Sequence, residues 1–273
     1  MILVNGNVTD CVSAMDRGLA YGDGLFETIA ARQSGLLLWD LHWRRLQSGC
    51  DQLKIDCPQE ALIIQELQQL LKHAEIQQRQ RYVIKIIITR GAGGRGYRPD
   101  SNLPATRILM LSDWPDYPDE YFTYGVDCRV CHIRMSSQPA FAGIKHLNRL
   151  EHVRARMEWT ESHIAEGIML DTRGNVIEGT MSNIFFVTPA GEIETPSLEY
   201  CGVEGVQREN VIGIAQAKNI PVRSSIIGKQ SLGQYSEAFL TNSLIGIWPI
   251  RNIDAETFEP GPITRLLQQA LTS

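Results

Sequence analysis

Ile144-Lys145-His146-Leu147-Asn148-Arg149-Leu150-Glu151 stands near the middle of the 273-residue chain, and the rest is read outward from it. A loop of small and chain-breaking residues, Ser136 to Gly143, leads into it. Leu147, Leu150, Val153 and Met157 then fall three or four apart, a spacing that lines one face of a predicted helix. Lys145 sits at the mouth of that helix, off the apolar stripe. By itself, a lysine there reads as a solvated helix end.

About thirty residues on comes Asn175-Val176-Ile177-Glu178-Gly179-Thr180-Met181-Ser182-Asn183-Ile184-Phe185-Phe186. Taken with Lys145, and with Glu-x-x-x-x-Asn-Ile-Phe from Glu178 to Phe185, it resembles the fold type IV family of pyridoxal-phosphate enzymes. That family holds branched-chain aminotransferases, D-amino-acid aminotransferases and 4-amino-4-deoxychorismate lyases. The resemblance runs over nearly the whole chain. Gly91-Ala92-Gly93-Gly94-Arg95-Gly96-Tyr97 and Gly143 to Glu151 look most like the lyase branch.

Composition agrees with an ordinary soluble protein. The chain is 43% hydrophobic and 21% charged, long enough for two domains or one large one. A net charge of -5 argues against nucleic acid, whose phosphates need a basic surface. No apolar run approaches the ~20 residues of a membrane span, and Met1 to Gly6 lacks the features of a signal peptide. The expected location is the cytoplasm. Six scattered cysteines suggest no disulfide framework. Cys128 and Cys131 have metal-like spacing but fall on a predicted strand, where positions three apart point to opposite faces. No metal site is expected.

The pattern predicts a hairpin turned at Asn5-Gly6 and a glycine-dense loop from Asp16 to Gly24. Asp40 reads as the N-cap of a helix carrying His42, Arg45, Leu46 and Leu53. A second helix covers about Gln59 to Ala74, with Leu62, Leu67, Leu70 and Leu71 on its buried side. Tyr82 to Thr89 is a β-branched central strand, and Arg107 to Leu111 another. Pro115, Pro118 and four acidic residues make 113–120 the interdomain linker, with a small N-terminal α/β domain at 1–112 and a larger, β-rich C-terminal domain with flanking helices at 121–273. The latter carries predicted strands at 126–135, 166–171, 175–178, 181–188, 222–227 and 238–241. Helices are expected over about 206–218 and from Ile263. The fold class is α/β, of an α+β-like kind.

The resemblance implies roles for particular residues. Pyridoxal 5′-phosphate needs a Schiff-base lysine, an acid against its pyridine nitrogen, a phosphate cup and control of the substrate carboxylate. Lys145 matches the lysine, which also serves as the base beside the reacting carbon. Glu178 matches the acid. Arg45, rather than Arg44, matches the phosphate arginine. Gly205-Val206-Gln207 would offer amides at a helix N-terminus, and Thr241-Asn242-Ser243 a second phosphate loop. Arg95 and Tyr97 match positions that hold a substrate carboxylate in D-amino-acid aminotransferases; Arg90 and Arg95 read equally well as turn residues in water. Phe26 matches a pocket aromatic. The activity implied is cleavage of 4-amino-4-deoxychorismate to 4-aminobenzoate and pyruvate, in folate biosynthesis, with a D-amino-acid or branched-chain aminotransferase as the alternative. The family further implies a homodimer in which loops of one subunit close the other's site.

Overall fold

The computed structural model describes residues 1–33, 35–76 and 80–272, so Ser273, the end of the expected second domain, lies outside them. The chain divides into two compact units: Met1–Pro115 with Ile144–Asn148, and Asp116–Gly143 with Arg149–Ser273. The segment carrying Lys145, expected in the C-terminal domain, is therefore grouped with the first unit.

In the first unit, β1 (Ile2–Val4) turns into β2 (Asn7–Val8) at Asn5-Gly6. Both turn residues take positive φ, 50° and 81°, as a two-residue hairpin requires. The loop expected over Asp16–Gly24 contains a helical turn, α1 (Arg17–Tyr21). Asp16 caps it by accepting from the Gly18 amide, and Gly22 closes it in the left-handed conformation. There follow β3 (Gly24–Arg32), β4 (Gly35–Leu36), α2 (Trp39–Leu53), α3 (Glu60–Ile76), β5 (Arg81–Thr89) and β6 (Thr106–Asp113). The sheet order is β2-β1-β6-β5-β3-β4, antiparallel throughout.

Alternation along β3 and β5 turns Leu25, Ile29, Ile84, Ile86 and Ile88 into a core with Trp43, Leu46 and Cys50 of α2 and Ile63, Leu67 and Leu70 of α3. Two expectations shift here. The N-cap of α2 is Leu38, and Asp40 lies inside the first turn, where its charge suits the helix dipole. The buried stripe of α3 runs through Ile63, not Leu62, because Ile63, Leu67, Leu70 and Ala74 keep the seven-residue period that Leu62 breaks.

Lys145 is not at the mouth of a helix. The Phe26 amide donates to the Lys145 carbonyl at 3.0 Å, and the Leu147 amide to Gly24 O at 2.9 Å. Leu25 and His146 form a β-bridge between these bonds, so Lys145 lies in an extended piece laid along β3.

The second unit comprises α4 (Asp119–Thr123), β7 (Val126–Met135), α5 (Leu150–Arg156), β8 (Ile164–Asp171), β9 (Val176–Gly179), β10 (Asn183–Val187), β11 (Ile193–Pro196), α6 (Val206–Ala217), β12 (Val222–Ser225), β13 (Glu237–Asn242), β14 (Gly246–Ile253), β15 (Glu256–Thr257) and α7 (Pro262–Thr272). Its mixed sheet runs β12-β11-β10-β13-β14-β7-β8-β9, with β15 on β14. Parallel pairs occur at β11/β12, β14/β7 and β7/β8. One core gathers Phe186, Leu240 and Trp248; another, with Phe185, Phe239 and Val211, lies under α6 and α7. Cys128 and Cys131 belong to different clusters, on opposite faces of β7.

The apolar stripe of α5 points the other way from an ordinary amphipathic helix. Leu150, Val153 and Met157 are 73%, 53% and 66% exposed, while Ala155 is buried. Their spacing is helical, but Leu147 lies outside the helix and the face they make looks outward. Among the described residues, no helix is long and apolar enough to cross a membrane, and no cluster of acidic, His and Cys side chains could hold a metal ion.

Candidate active site

In the first unit the half-buried Lys145 ammonium lies over the Phe26 ring, 4.4 Å from its centre. Three side chains nearby form a group that nothing in the sequence marks as one. Glu27, on the opposite face of β3, is buried and accepts from His42 Nδ1 at 2.6 Å and from Arg45 Nε at 2.8 Å and Nη2 at 2.5 Å. Burial works against the carboxylate, but the Arg45 charge and the His42 bond outweigh it and hold Glu27 down at about 2. Burial pushes His42 below its usual value against the pull of Glu27, and the charges of Arg45 and Lys145 add to that push. The result is a fixed guanidinium at Arg45, whereas Arg44 is exposed.

Arg17 is a second residue that sequence reasoning misses; within Asp16–Gly24 the pattern draws attention only to the glycines. It is buried, donates to Asp23 at 2.9 Å, and reaches the carbonyls of Gly96 at 2.9 Å and Tyr97 at 2.8 Å. Arg90 forks onto the same Asp23 at 2.8 and 2.9 Å and caps the end of α2 through the Leu53 and Lys54 carbonyls. Burial opposes the Asp23 charge, yet the Arg90 and Arg17 bonds bring its pKa below the ordinary carboxylate value. Arg90 is thus an internal tie and not a turn residue in water. Arg95 and Tyr97 are exposed, Tyr97 by 86%, with the Tyr97 ring against Tyr21. Their loop keeps its shape through Arg17. Arg17→Ala is expected to speed tryptic cleavage after Arg95 at least about tenfold, since even one lost charge-assisted bond is worth about 1.5 kcal/mol. An unchanged digestion rate would show that the loop is held by something else.

In the second unit Glu178 is the last residue but one of β9 and is buried. His152 Nε2 lies 3.0 Å from Oε1; on Oε2 the Val203 amide donates at 2.9 Å and Asn183 Nδ2 at 3.5 Å. Asn183 also donates to the Val203 carbonyl at 2.9 Å, clamping β10 to the 203–205 turn. Buried Glu166 organises the turn between Glu178 and Asn183. It accepts from the Thr180 and Met181 amides, both at 3.1 Å, and from the Ser182 hydroxyl at 2.8 Å. Neither His152 nor Glu166 is among the residues the sequence singles out.

Gly205 is the N-cap of α6 and supplies no side-chain cap, while Val206 and Gln207 just inside are buried. Any Cβ at Gly205 would collide with Asn183 Oδ1. A buried helix start with unmet amides is a receptor for an anion. The other expected phosphate residues are committed locally. Thr241 Oγ1 donates to Gly246 O at 2.6 Å, and Asn242 Oδ1 accepts from the Leu244 and Ile245 amides at 2.8 and 3.0 Å. Both side chains close the β13–β14 turn, which leaves backbone groups as what that turn offers beside Ser243.

The first unit offers a lysine amine and a fixed guanidinium, and the second a buried carboxylate and an uncapped helix N-terminus, each a group of the kind that a phosphorylated, imine-forming pyridine cofactor requires. The residues fit that group. Residues 24–253 match the family model of the class IV aminotransferases. The chain belongs to that family, whose members work with pyridoxal 5′-phosphate, and it is an enzyme of that kind. Within the family, it is 33% identical to the aminodeoxychorismate lyase of Vibrio harveyi, over all of both chains. Its structure superposes on the 4-amino-4-deoxychorismate lyase of Pseudomonas aeruginosa with a TM-score of 0.93 at 40% identity, covering 99% of this chain and 98% of that one. The branched-chain aminotransferase of Escherichia coli has a TM-score of 0.84 at 24% identity, covering 99% and 93%, and shares the fold.

Proposed function

We propose that the chain is a pyridoxal-phosphate-dependent lyase that converts 4-amino-4-deoxychorismate to 4-aminobenzoate and pyruvate. The observation that carries the reading is the full-length likeness to the Pseudomonas lyase at 40% identity, against 24% for the transaminase. Bound pyridoxal phosphate supplies an electron-withdrawing pyridine. Lys145 would hold it, Glu178 would accept from its ring nitrogen, and Arg45 and the Val206 and Gln207 amides would neutralise its phosphate. The 241–243 turn adds backbone groups. Phe26 lines the substrate's side. The Lys145 amine, when free, would take the proton from the amine-bearing ring carbon.

Loss of that proton and of the enolpyruvyl oxygen makes the ring aromatic, and the released enol collects a proton to become pyruvate. Substrate atoms account for both products. An aminotransferase, by contrast, needs a keto acid to finish its cycle. The deciding assay supplies 4-amino-4-deoxychorismate without any keto acid. Equal 4-aminobenzoate and pyruvate over many turnovers are expected. Amino transfer from a D- or branched-chain amino acid, with no aromatic product, would replace the lyase by the aminotransferase.

The reading includes a cytoplasmic homodimer. Two features support a second copy: the outward stripe of Leu150, Val153 and Met157, and the exposure of Arg95 and Tyr97, which then serve the neighbour's substrate. Val153→Lys with Met157→Lys is expected to shift the sedimenting species from dimer to monomer. A wild-type protein that sediments as a monomer would remove this part of the reading.

A further inference from the structure

Helix α5 turns its polar side inward. While Leu150, Val153 and Met157 look out, His152 faces in, its side chain only 12% exposed, with Nε2 3.0 Å from Glu178 Oε1. A helix that exposes its aliphatic residues and gives its inner face to an imidazole breaks the ordinary pattern. Such breaks gather where function has overridden packing. The contact faces a carboxylate, so Nε2 carries the proton and donates. The other ring nitrogen, Nδ1, is buried with no hydrogen-bond partner among the described residues. A core chosen for packing alone has no reason to keep such an atom.

The carboxylate shows what this achieves. Both other donors, the Val203 amide and Asn183 Nδ2, act on Oε2. On Oε1 the donor is His152. Without it Glu178 would be pinned by one oxygen and its carboxyl plane could turn about the last side-chain bond. With it, the plane is fixed and the remaining Oε1 lone pair has a set direction.

We infer that His152 is a positioning residue that fixes the carboxylate plane of Glu178 and thereby sets how strongly Glu178 holds the proton on the cofactor's pyridine nitrogen. The inference rests on the cofactor reading above and deepens it: it places control of the electron sink on a residue of α5 that acts through Glu178.

The test uses holoenzyme loaded with pyridoxal phosphate carrying 15N in the ring, whose NMR shift reports protonation of that nitrogen. In His152→Leu the shift is expected to move toward the unprotonated pyridine, and kcat to fall roughly 10–100-fold with KM changed less, as suits loss of a bond to a charged group. His152→Gln keeps an N–H at similar reach and is expected to restore both the shift and kcat to within about threefold of wild type. A wild-type shift and kcat in His152→Leu would overturn the inference, as would a His152→Gln enzyme as impaired as His152→Leu. Should His152→Leu not fold, the imidazole nitrogens of the wild-type holoenzyme decide: a proton on Nε2 is expected, and a ring carrying it on Nδ1 alone overturns the inference. Failure of the underlying reading looks different, because wild type would then take up no cofactor at Lys145 and no ring signal would form.

Discussion

Lys145→Ala is expected to fold as wild type does, lose turnover by at least about 10⁴-fold and lose the visible absorbance of the cofactor-loaded protein. Folding survives because the segment is anchored through its main chain: the Lys145 carbonyl accepts from Phe26 and the Leu147 amide donates to Gly24, and alanine keeps both. What is lost structurally is an ammonium over an aromatic ring, worth about 0.5–1 kcal/mol at a site of this exposure. What is lost chemically is larger, since one amine is asked both to hold the cofactor and to move the substrate's proton. The two jobs separate experimentally. Added methylamine can stand in as a proton acceptor without restoring the covalent attachment, so partial rescue of rate with no return of the tethered spectrum is the expected pattern. Turnover, absorbance and a thermal melt on the same preparation make the test. A Lys145→Ala enzyme running at wild-type rate would sink the assignment of Lys145, and the lyase mechanism with it.

How far the sequence reaches differs residue by residue. β5 is plain, because Tyr82 to Thr89 is nearly all β-branched and apolar and ends up paired on both sides. The start of α6 is legible from Gly202 to Gln207, since a glycine turn before a helical pattern has few other meanings. Lys145 is legible as a residue but not as a position. Its helical spacing to Leu150 and Val153 is real only from Leu150 onward. Backbone pairing with β3, invisible to side-chain periodicity, takes the five residues before Arg149 out of the helix. β11 and β14 escape notice because they are short or interrupted by proline, as at Pro249. Arg17, His152 and Glu166 escape for a different reason. Each matters through a partner 14 to 80 residues away, and nothing local marks Arg17 as buried or His152 as turned inward. The buried carboxylates Glu27 and Glu166 could be suspected locally, because a single acid there interrupts an apolar strand pattern. That signal is present in Leu25-Phe26-Glu27-Thr28-Ile29 and in Ile164-Ala165-Glu166-Gly167-Ile168.

Glu27 gives the largest expected effect on stability. Glu27→Gln keeps the shape but turns one acceptor oxygen into a donor and takes the Glu27 charge from the Arg45 guanidinium, which is 12% exposed. Removing one partner of a buried pair costs roughly 3–5 kcal/mol, because the remaining charge still pays its desolvation. The acid dependence follows from the same group. Its folded pKa, about 2, lies below the ordinary 4.5, so its stabilisation is fully present above 4.5 and is lost as pH falls from there through about 2. His42 adds in the same direction and begins earlier: held below its usual 6.5 by burial, it loses stabilisation as pH falls under that value, because the unfolded chain takes up its proton first. Wild type should therefore weaken below pH 6.5 and more steeply between 4.5 and 2, whereas Glu27→Gln should start lower at pH 7 and lack the second, steep part. Urea denaturation at a series of pH values reads both. Equal stability of the two proteins at about pH 7 would mean that Arg45 finds water in solution. Glu27→Gln with Arg45→Met separates the explanations further: removing the charge that Glu27 balances should return most of the lost stability. The same double variant should still fail to bind the cofactor's phosphate tightly, because under the proposed function the Arg45 charge that Glu27 orients is the one the phosphate needs.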